Sequence, residues 1–302
     1  MTTAQAPAPI PAPAPASAPA SGAVGDIEHR IEAAMPQLTP QEQRVAEFIL
    51  DHVSELAVYN SSELAGMSGV SKATVSRLYR RLGFASSHEV REHVLARRSA
   101  GTPLGAAGAP AASPEGVAAL LASERENLAR LLDALAGGTL HAVVSALVEA
   151  REVLVVGYRN SYPVALHVRE QLVQCRGRVR IAPQPGQSLG EDLADLGEGD
   201  VVVLVGFRRR PARFAEILDA VVATGARCIL ITDPSGRALA ARADLIIECP
   251  LESPAAFDSY ASAMSLVSLV ASAVLGADIR RGRSRIAGID ATYRGLAEIE
   301  GV

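Results

Sequence analysis

Two groups of residues in this sequence have types and spacings suited to holding an anion. The first lies in the segment GVSKATVSRLYRRLGF, residues 69 to 84, where hydroxyls and cations recur on a helical spacing. From 72 to 98, seven residues are basic (Lys72, Arg77, Arg80, Arg81, Arg91, Arg97, Arg98) and two are acidic (Glu89, Glu92), a local balance of +5 in a chain of formal net charge −4. Such asymmetry between parts is the footprint of a polyanionic partner. On a helix over 72 to 82, Val75, Leu78 and Leu82 fall on the inward face. Ser71, Lys72, Ala73, Thr74, Ser76, Arg77 and Arg80 are then the candidates to meet double-stranded DNA. Hydroxyls can donate or accept at base edges, and cations can pair with guanine edges or phosphates. The competing reading is a solvated basic helix face. Arg91, Arg97 and Arg98 are less specific: they touch phosphate, or they keep the following segment soluble.

The second group sits where short apolar runs end. VLVVGYRNSYPVA places Gly157, Arg159, Asn160 and Ser161 at a strand-to-helix junction, and VVVLVGFRRRPARF places Arg208, Arg209 and Arg210 at another. In open α/β sheets ligands collect at the carboxyl ends of strands, where free N–H groups of a following helix favour an anion. Arginine forks suit phosphate and carboxylate alike. The alternative is that these arginines are solvated or pair with acids of a partner subunit. Ser188 either lines the same pocket or caps its own helix. His167 and Glu170 read as packing or surface residues on an amphipathic helix, and Asp258 as a cap.

These groups need elements to hold them. In LTPQEQRVAEFILDH, Thr39 is the expected N-cap, Pro40 the first helical residue and Glu42 the third-position partner, ahead of an apolar face of Val45, Phe48 and Ile49. Asn60 and Glu63 repeat that logic for a short helix, Gly69 breaks it, and Ser71 caps the next. Ala65 is small where the two helices cross. Two short helices joined by a glycine-containing turn form a helix-turn-helix. Further along, helices over about 114 to 136 and 139 to 150 precede the apolar runs EVLVVG, VRIAP, VVVLVGF, RCILITD and LIIECP. Helical patterns at about 162–175, 188–196, 211–224, 236–242 and 258–276 alternate with them. Strands apolar on both faces and separated by helices indicate a parallel sheet covered on both sides.

The fold class is therefore α/β: an all-α helix-turn-helix domain followed by an α/β/α sandwich with a five-stranded parallel sheet. The expected organisation is a disordered Ala/Pro tail over 1–25, a DNA-binding domain over 26–98, a linker over 99–113, the sheet domain over 114–278 and a helical tail over 279–302. The tail lacks the basic start and apolar centre of a signal peptide. The longest apolar stretch, Tyr260 to Gly276, carries serines and is short for a bilayer span of about 20 residues. The three cysteines, Cys175, Cys228 and Cys249, form no CxxC pair and read as reduced thiols of a cytoplasmic protein.

LTPQEQRVAEFILDH with SSELAGMSGVSKATVSRLYRRLGF resembles the N-terminal domain of the RpiR (MurR/RpiR) family of bacterial transcriptional regulators, and the C-terminal unit is similar to their SIS (sugar isomerase) domain. The resemblance covers about residues 35 to 275. It implies a DNA-binding homodimer or homotetramer whose effector is usually a phosphorylated sugar. The family's first ligand turn is Gly-x-Gly-x-Ser; Gly157 and Ser161 match it, and Arg159 stands at the second glycine. Its second turn is Ser-x-Ser-Gly-x-Thr, and here Gly206, Arg208 and Pro211 stand at the three hydroxyls. An anionic effector that need not be a sugar phosphate is the expectation, with no metal, cofactor, catalytic residue or membrane. An isomerase with an accessory DNA-binding domain is the second hypothesis, and an architectural DNA-binding protein without effector the third.

Overall fold

The computed structural model describes residues 27–53, 56, 59–99 and 112–298. The tail expected over 1–25, and most of the linker expected over 99–113, lie outside them. The first unit is helical: α1 (Ile27–Ala34), a 3-10 turn (Met35–Gln37), α2 (Pro40–Asp51), α3 (Ser61–Met67), α4 (Lys72–Arg81) and α5 (Ser87–Ser99). Local chemistry sets these starts. Thr39 Oγ1 accepts from the Glu42 N–H, and Glu42 returns the bond by accepting from the Thr39 N–H at 3.0 Å. Asn60 and Glu63 form the same reciprocal pair at α3, and Ser71 Oγ accepts from the Thr74 N–H at 3.2 Å at α4. Each such cap contributes about 1 kcal/mol. Gly69 takes a left-handed φ of +67°, which lets the chain reverse between α3 and α4 without the penalty a Cβ would bring.

Val45, Ile49, Leu64, Ala65, Val75, Leu78 and Leu82 are buried in one cluster with Ile27, Ile31, Val90 and Val94. Phe48, expected on that face, is half-buried and stacks on His52. Arg91 donates to the Tyr59 carbonyl at 3.3 Å, and Arg97 pairs with Glu28 at 2.7 Å. Both residues therefore hold α5 against its own unit.

From residue 114 the order is α6 (Pro114–Ala134), α7 (Thr139–Glu149), β1 (Val153–Gly157), α8 (Ser161–Cys175), β2 (Val179–Ala182), α9 (Gly190–Leu193), β3 (Val201–Gly206), α10 (Phe214–Ala223), β4 (Arg227–Thr232), a 3-10 segment (Pro234–Arg242), β5 (Leu245–Glu248), α11 (Ala261–Ala277) and α12 (Ile279–Leu296). The five strands are parallel in the order β2-β1-β3-β4-β5. Alternate side chains divide the core. Val153, Val155, Val203, Val205, Ile229 and Ile231 pack with α7, α8 and α11 on one face, and Leu154, Val156, Val202, Leu204 and Leu230 pack with α10 on the other. Three elements differ from expectation. The helix expected at 188–196 is only the four residues of α9, and the one at 236–242 is a 3-10 segment opened by Asp233-Pro234. The last core helix starts at Ala261 rather than 258, because Asp258 is engaged elsewhere. Arg285 of α12 donates to the Val173 carbonyl of α8 at 2.6 Å, so much of the expected tail packs on the sheet unit.

Cys228 and Cys249 are buried and Cys175 is half-buried, and none is in a disulfide. Burial pushes the Cys228 thiol up to about 12 and that of Cys249 up to about 11, so neither supplies thiolate near neutral pH. At the amino-terminal edge of the sheet, buried Asp200 accepts from Arg151 Nε at 2.9 Å and from the Gly197 N–H at 3.0 Å. The Arg151 hydrogen bond holds its carboxyl below the usual range. A depressed carboxylate pKa stabilises the fold fully above the unfolded value of about 3.9, and the contribution disappears as pH falls through the folded value. Asp200→Asn is expected to cost about 1 to 3 kcal/mol at pH 7. In urea denaturation the gap from wild type should narrow below about pH 4; a pH-independent gap contradicts the assignment.

Candidate functional site

The candidate recognition surface lies on α4. Ser71, Lys72, Ala73, Arg77 and Arg80 are exposed and Ser76 is half-buried, so six of the seven expected contacts reach solvent on or beside one face. Thr74 does not. It is 1% exposed, its Oγ1 lies 3.0 Å from Ser71 Oγ and 3.5 Å from Gln41 Oε1, and it accepts from Arg77 Nη2 at 3.3 Å. The expectation that Thr74 contacts DNA is therefore corrected: α2 closes over it, and its role is to orient Ser71 and Arg77. Arg81 is exposed but is tied back to its own unit, donating to the Gln37 carbonyl at 3.0 Å and facing Glu42 at 3.9 Å. Lys72, Arg77 and Arg80 remain as the outward cations of α4.

The second group gathers at the carboxyl ends of β1 and β3. Gly157 is needed for close approach: a Cβ there would lie 2.7 Å from Ala165 Cβ and 2.9 Å from the Ser161 carbonyl, pushing α8 off the strand. Ser161 is buried and its Oγ accepts from the Phe207 N–H at 3.1 Å, which joins the two junctions. Asn160 holds the N-cap position of α8 with no capping bond, and nearby the Tyr260 ring packs edge-on against Phe207 at 5.6 Å. Arg159 and Asn160 are exposed.

The arginines after β3 do three different things. Arg208 is only 12% exposed; its Nη2 meets Asp258 Oδ1 at 2.6 Å and the Leu251 carbonyl at 3.3 Å, and its backbone N–H donates to Asp233 Oδ1 at 2.7 Å. Its Nε is buried and has no hydrogen-bond partner among the described residues. Arg209 is exposed. Arg210 turns back into the fold, donating to the Gly206 carbonyl at 2.7 Å, to Thr232 Oγ1 at 2.7 Å and to Asp233 at 2.8 Å. It is a structural brace. Ser188 is exposed and donates to Glu191 at 2.8 Å, so its hydroxyl is engaged locally at the start of α9. Asp258 is not the cap of α11, as expected, but the counter-ion of Arg208. Burial raises its carboxyl above the usual range although Arg208 opposes the shift.

A cavity of about 410 Å³ opens at the opposite edge of the sheet, lined by Glu149, Glu198, Asp200 and Asp244 with Arg227 as its basic member. That lining disfavours an anion.

With this geometry in view, likeness to known proteins is informative. Residues 25–99 match the helix-turn-helix domain of the rpiR family, and residues 146–273 match the SIS domain. The chain carries an rpiR-family helix-turn-helix domain followed by a SIS domain. The HTH-type transcriptional regulator HexR of Pseudomonas aeruginosa is 25% identical over 84% of this chain and 89% of its own length. The bifunctional protein glk of Burkholderia thailandensis is 27% identical over 75% of this chain, a match covering 35% of that longer protein. Two solved structures share the fold: the sugar isomerase domain of an RpiR transcription factor from Sphaerobacter thermophilus (22% identity, TM-score 0.53, 57% of this chain and 96% of that one), and the Vibrio vulnificus NanR protein complexed with ManNAc-6P (15%, 0.54, 90% and 99%).

Against the RpiR turns, the substitutions are more ordered than they look in sequence. Arg159 and Arg209 stand where the two turns carry glycine, and both adopt left-handed backbone, with φ of +53° and +65°. The loops keep their glycine-type path and gain a cation at each bend. Two further residues lie at this strand edge and escaped sequence reasoning: Asp233 and Thr232. Asp233 alone carried a signal, as the Asp-Pro turn that follows β4.

Proposed function

We propose that this protein is a cytoplasmic transcriptional regulator of the RpiR family that reads operator DNA with α4 and is modulated by a small anionic metabolite held at the carboxyl ends of β1 and β3. The effector class is a sugar phosphate, another carbohydrate derivative or an organic acid. One observation carries the reading: a solvent-facing row of Lys72, Arg77 and Arg80 on a capped recognition helix shares a chain with an arginine-bearing strand edge. HexR, named as a regulator, and NanR, solved with a phosphorylated sugar, support it by likeness. Residues 26–98 act as the DNA-binding unit, 114–278 as the effector and oligomerisation unit, and 279–302 as a helical extension. At the strand edge both Asp233 and Asp258 are bound to arginines. An isomerase needs a positioned, available base, so this arrangement favours binding over catalysis.

Self-association as a homodimer or homotetramer is supported by α6. Val117, Leu121, Leu128 and Leu132 share one helical stripe and are 46%, 56%, 42% and 71% exposed. A second copy covering that stripe would also supply the second recognition helix that a two-fold operator requires.

Thermal-shift screening of sugar phosphates and organic acids tests the effector site, because a ligand that binds only the folded state raises its melting temperature. The stabilising compound is expected to lose its effect in Arg159→Ala and to keep it in Arg80→Ala. Equal stabilisation of Arg159→Ala, or an equally strong shift with neutral sugars, overturns the anion site.

A further inference from the structure

The Arg208–Asp258 pair belongs to a loop with two anchors. The Ser259 N–H donates to the Leu251 carbonyl at 3.1 Å and closes residues 252 to 258 into one loop, and Arg208 Nη2 reaches the same carbonyl. Asp258, at the loop's far end, holds Arg208 at 2.6 Å. At its near end the Glu252 carbonyl accepts from Asn127 Nδ2 at 2.7 Å and from Ser123 Oγ at 3.0 Å, and the Glu252 carboxylate faces Arg130 at 3.2 Å. All three donors lie on α6, and Asn127 is 1% exposed. Ser253 to Ala256 are half-buried, and Phe257, next to Asp258, is 73% exposed. One loop thus grips the strand-end arginine with a side chain and the helix that follows the linker with its backbone.

We propose that Asp258 is an internal ligand that occupies Arg208 when no effector is bound, and that an anionic effector enters by displacing this carboxylate and passes the movement of loop 251–259 to α6 through Glu252. The proposal rests on the effector-site reading above. Its chemistry restricts the ligand. Arg208 is nearly buried, and a group that replaces Asp258 must bring its own anionic oxygen, since a neutral hydroxyl would leave the guanidinium without a counter-charge. A phosphoryl or carboxylate group fits, and the partnerless Nε of Arg208 offers it a second donor. Displacement also explains how a small ligand can act at a distance: it shifts an equilibrium only by its preference for one state, and the open loop is the state that admits it.

The test uses the full chain and inorganic phosphate as probe, followed by calorimetry and by hydrogen exchange of 114–134 and 251–260. If the latch is closed about nine-tenths of the time, the apparent affinity is reduced about tenfold. Asp258→Asn is therefore expected to bind phosphate about tenfold more tightly than wild type and to exchange faster in both segments without phosphate. Ser123→Ala, which removes one bond to Glu252 and leaves the core intact, is expected to keep wild-type phosphate affinity while the phosphate-induced change in 114–134 shrinks. Asp258→Asn with wild-type or no phosphate binding overturns the latch. So does a Ser123→Ala chain in which phosphate still alters 114–134 as in wild type, a result readable even where Asp258→Asn fails to fold. Phosphate binding that tightens in Asp258→Asn and is abolished by Arg159→Ala supports both readings. Binding unaffected by Asp258→Asn but abolished by Arg159→Ala overturns the latch alone, and binding unaffected by either overturns the site as well.

Discussion

Leu121→Glu combined with Leu132→Glu in the full chain is expected to give a monomer that binds operator about 100-fold more weakly than wild type. The two leucines are 56% and 71% exposed, so their replacement removes little from the fold itself. Carboxylates placed on a covered stripe would have to be desolvated without partners, which disfavours association. Losing the second copy converts a tethered pair of half-site contacts into one, and linkage of two modest contacts is worth about 10²- to 10⁴-fold. Light scattering with size exclusion reports the mass, and fluorescence anisotropy the affinity. A double variant that remains associated and binds operator like wild type removes α6 from the assembly.

Arg77→Ala is expected to weaken binding to the cognate operator by about 1 to 3 kcal/mol, or about 5- to 150-fold, and to relax its specificity. Arg77 lies on the exposed face of α4, and its guanidinium is steered by the buried Thr74 hydroxyl at 3.3 Å. An arginine whose direction is fixed before binding can present two parallel donors to one guanine edge with little loss of side-chain freedom. Anisotropy with operator and scrambled duplexes separates the roles. An equal loss on both duplexes makes Arg77 a phosphate contact, the behaviour expected of Lys72.

What could be read from the sequence was what local spacing encodes. The capping pairs Thr39 with Glu42 and Asn60 with Glu63 lie three residues apart, so their bonds follow from the chain itself. The strands were visible because burial on both faces forces unbroken apolar runs, as in Val201 to Val205. The misreadings are those of partners distant in sequence. Arg208 and Asp258 are separated by 50 positions, and no spacing rule joins them. Arg210 looks the same as Arg208 and Arg209 until the sheet brings Thr232 and Asp233 beneath it. Thr74 shares a helix face with Leu78, four residues on, and its hydroxyl is held there by Ser71 and by Gln41 of α2. The short α9 shows the limit of periodicity: a helical pattern over 188–196 yields a helix of four residues.

The left-handed arginines carry an evolutionary consequence. Holding an L-residue other than glycine in that region costs about 1 to 2 kcal/mol at each position. Selection for stability alone would drift Arg159 and Arg209 toward glycine, and a chain that drifted so would melt at a higher temperature while losing two cations from the strand edge. At both positions this sheet edge carries a cation at a cost to backbone stability.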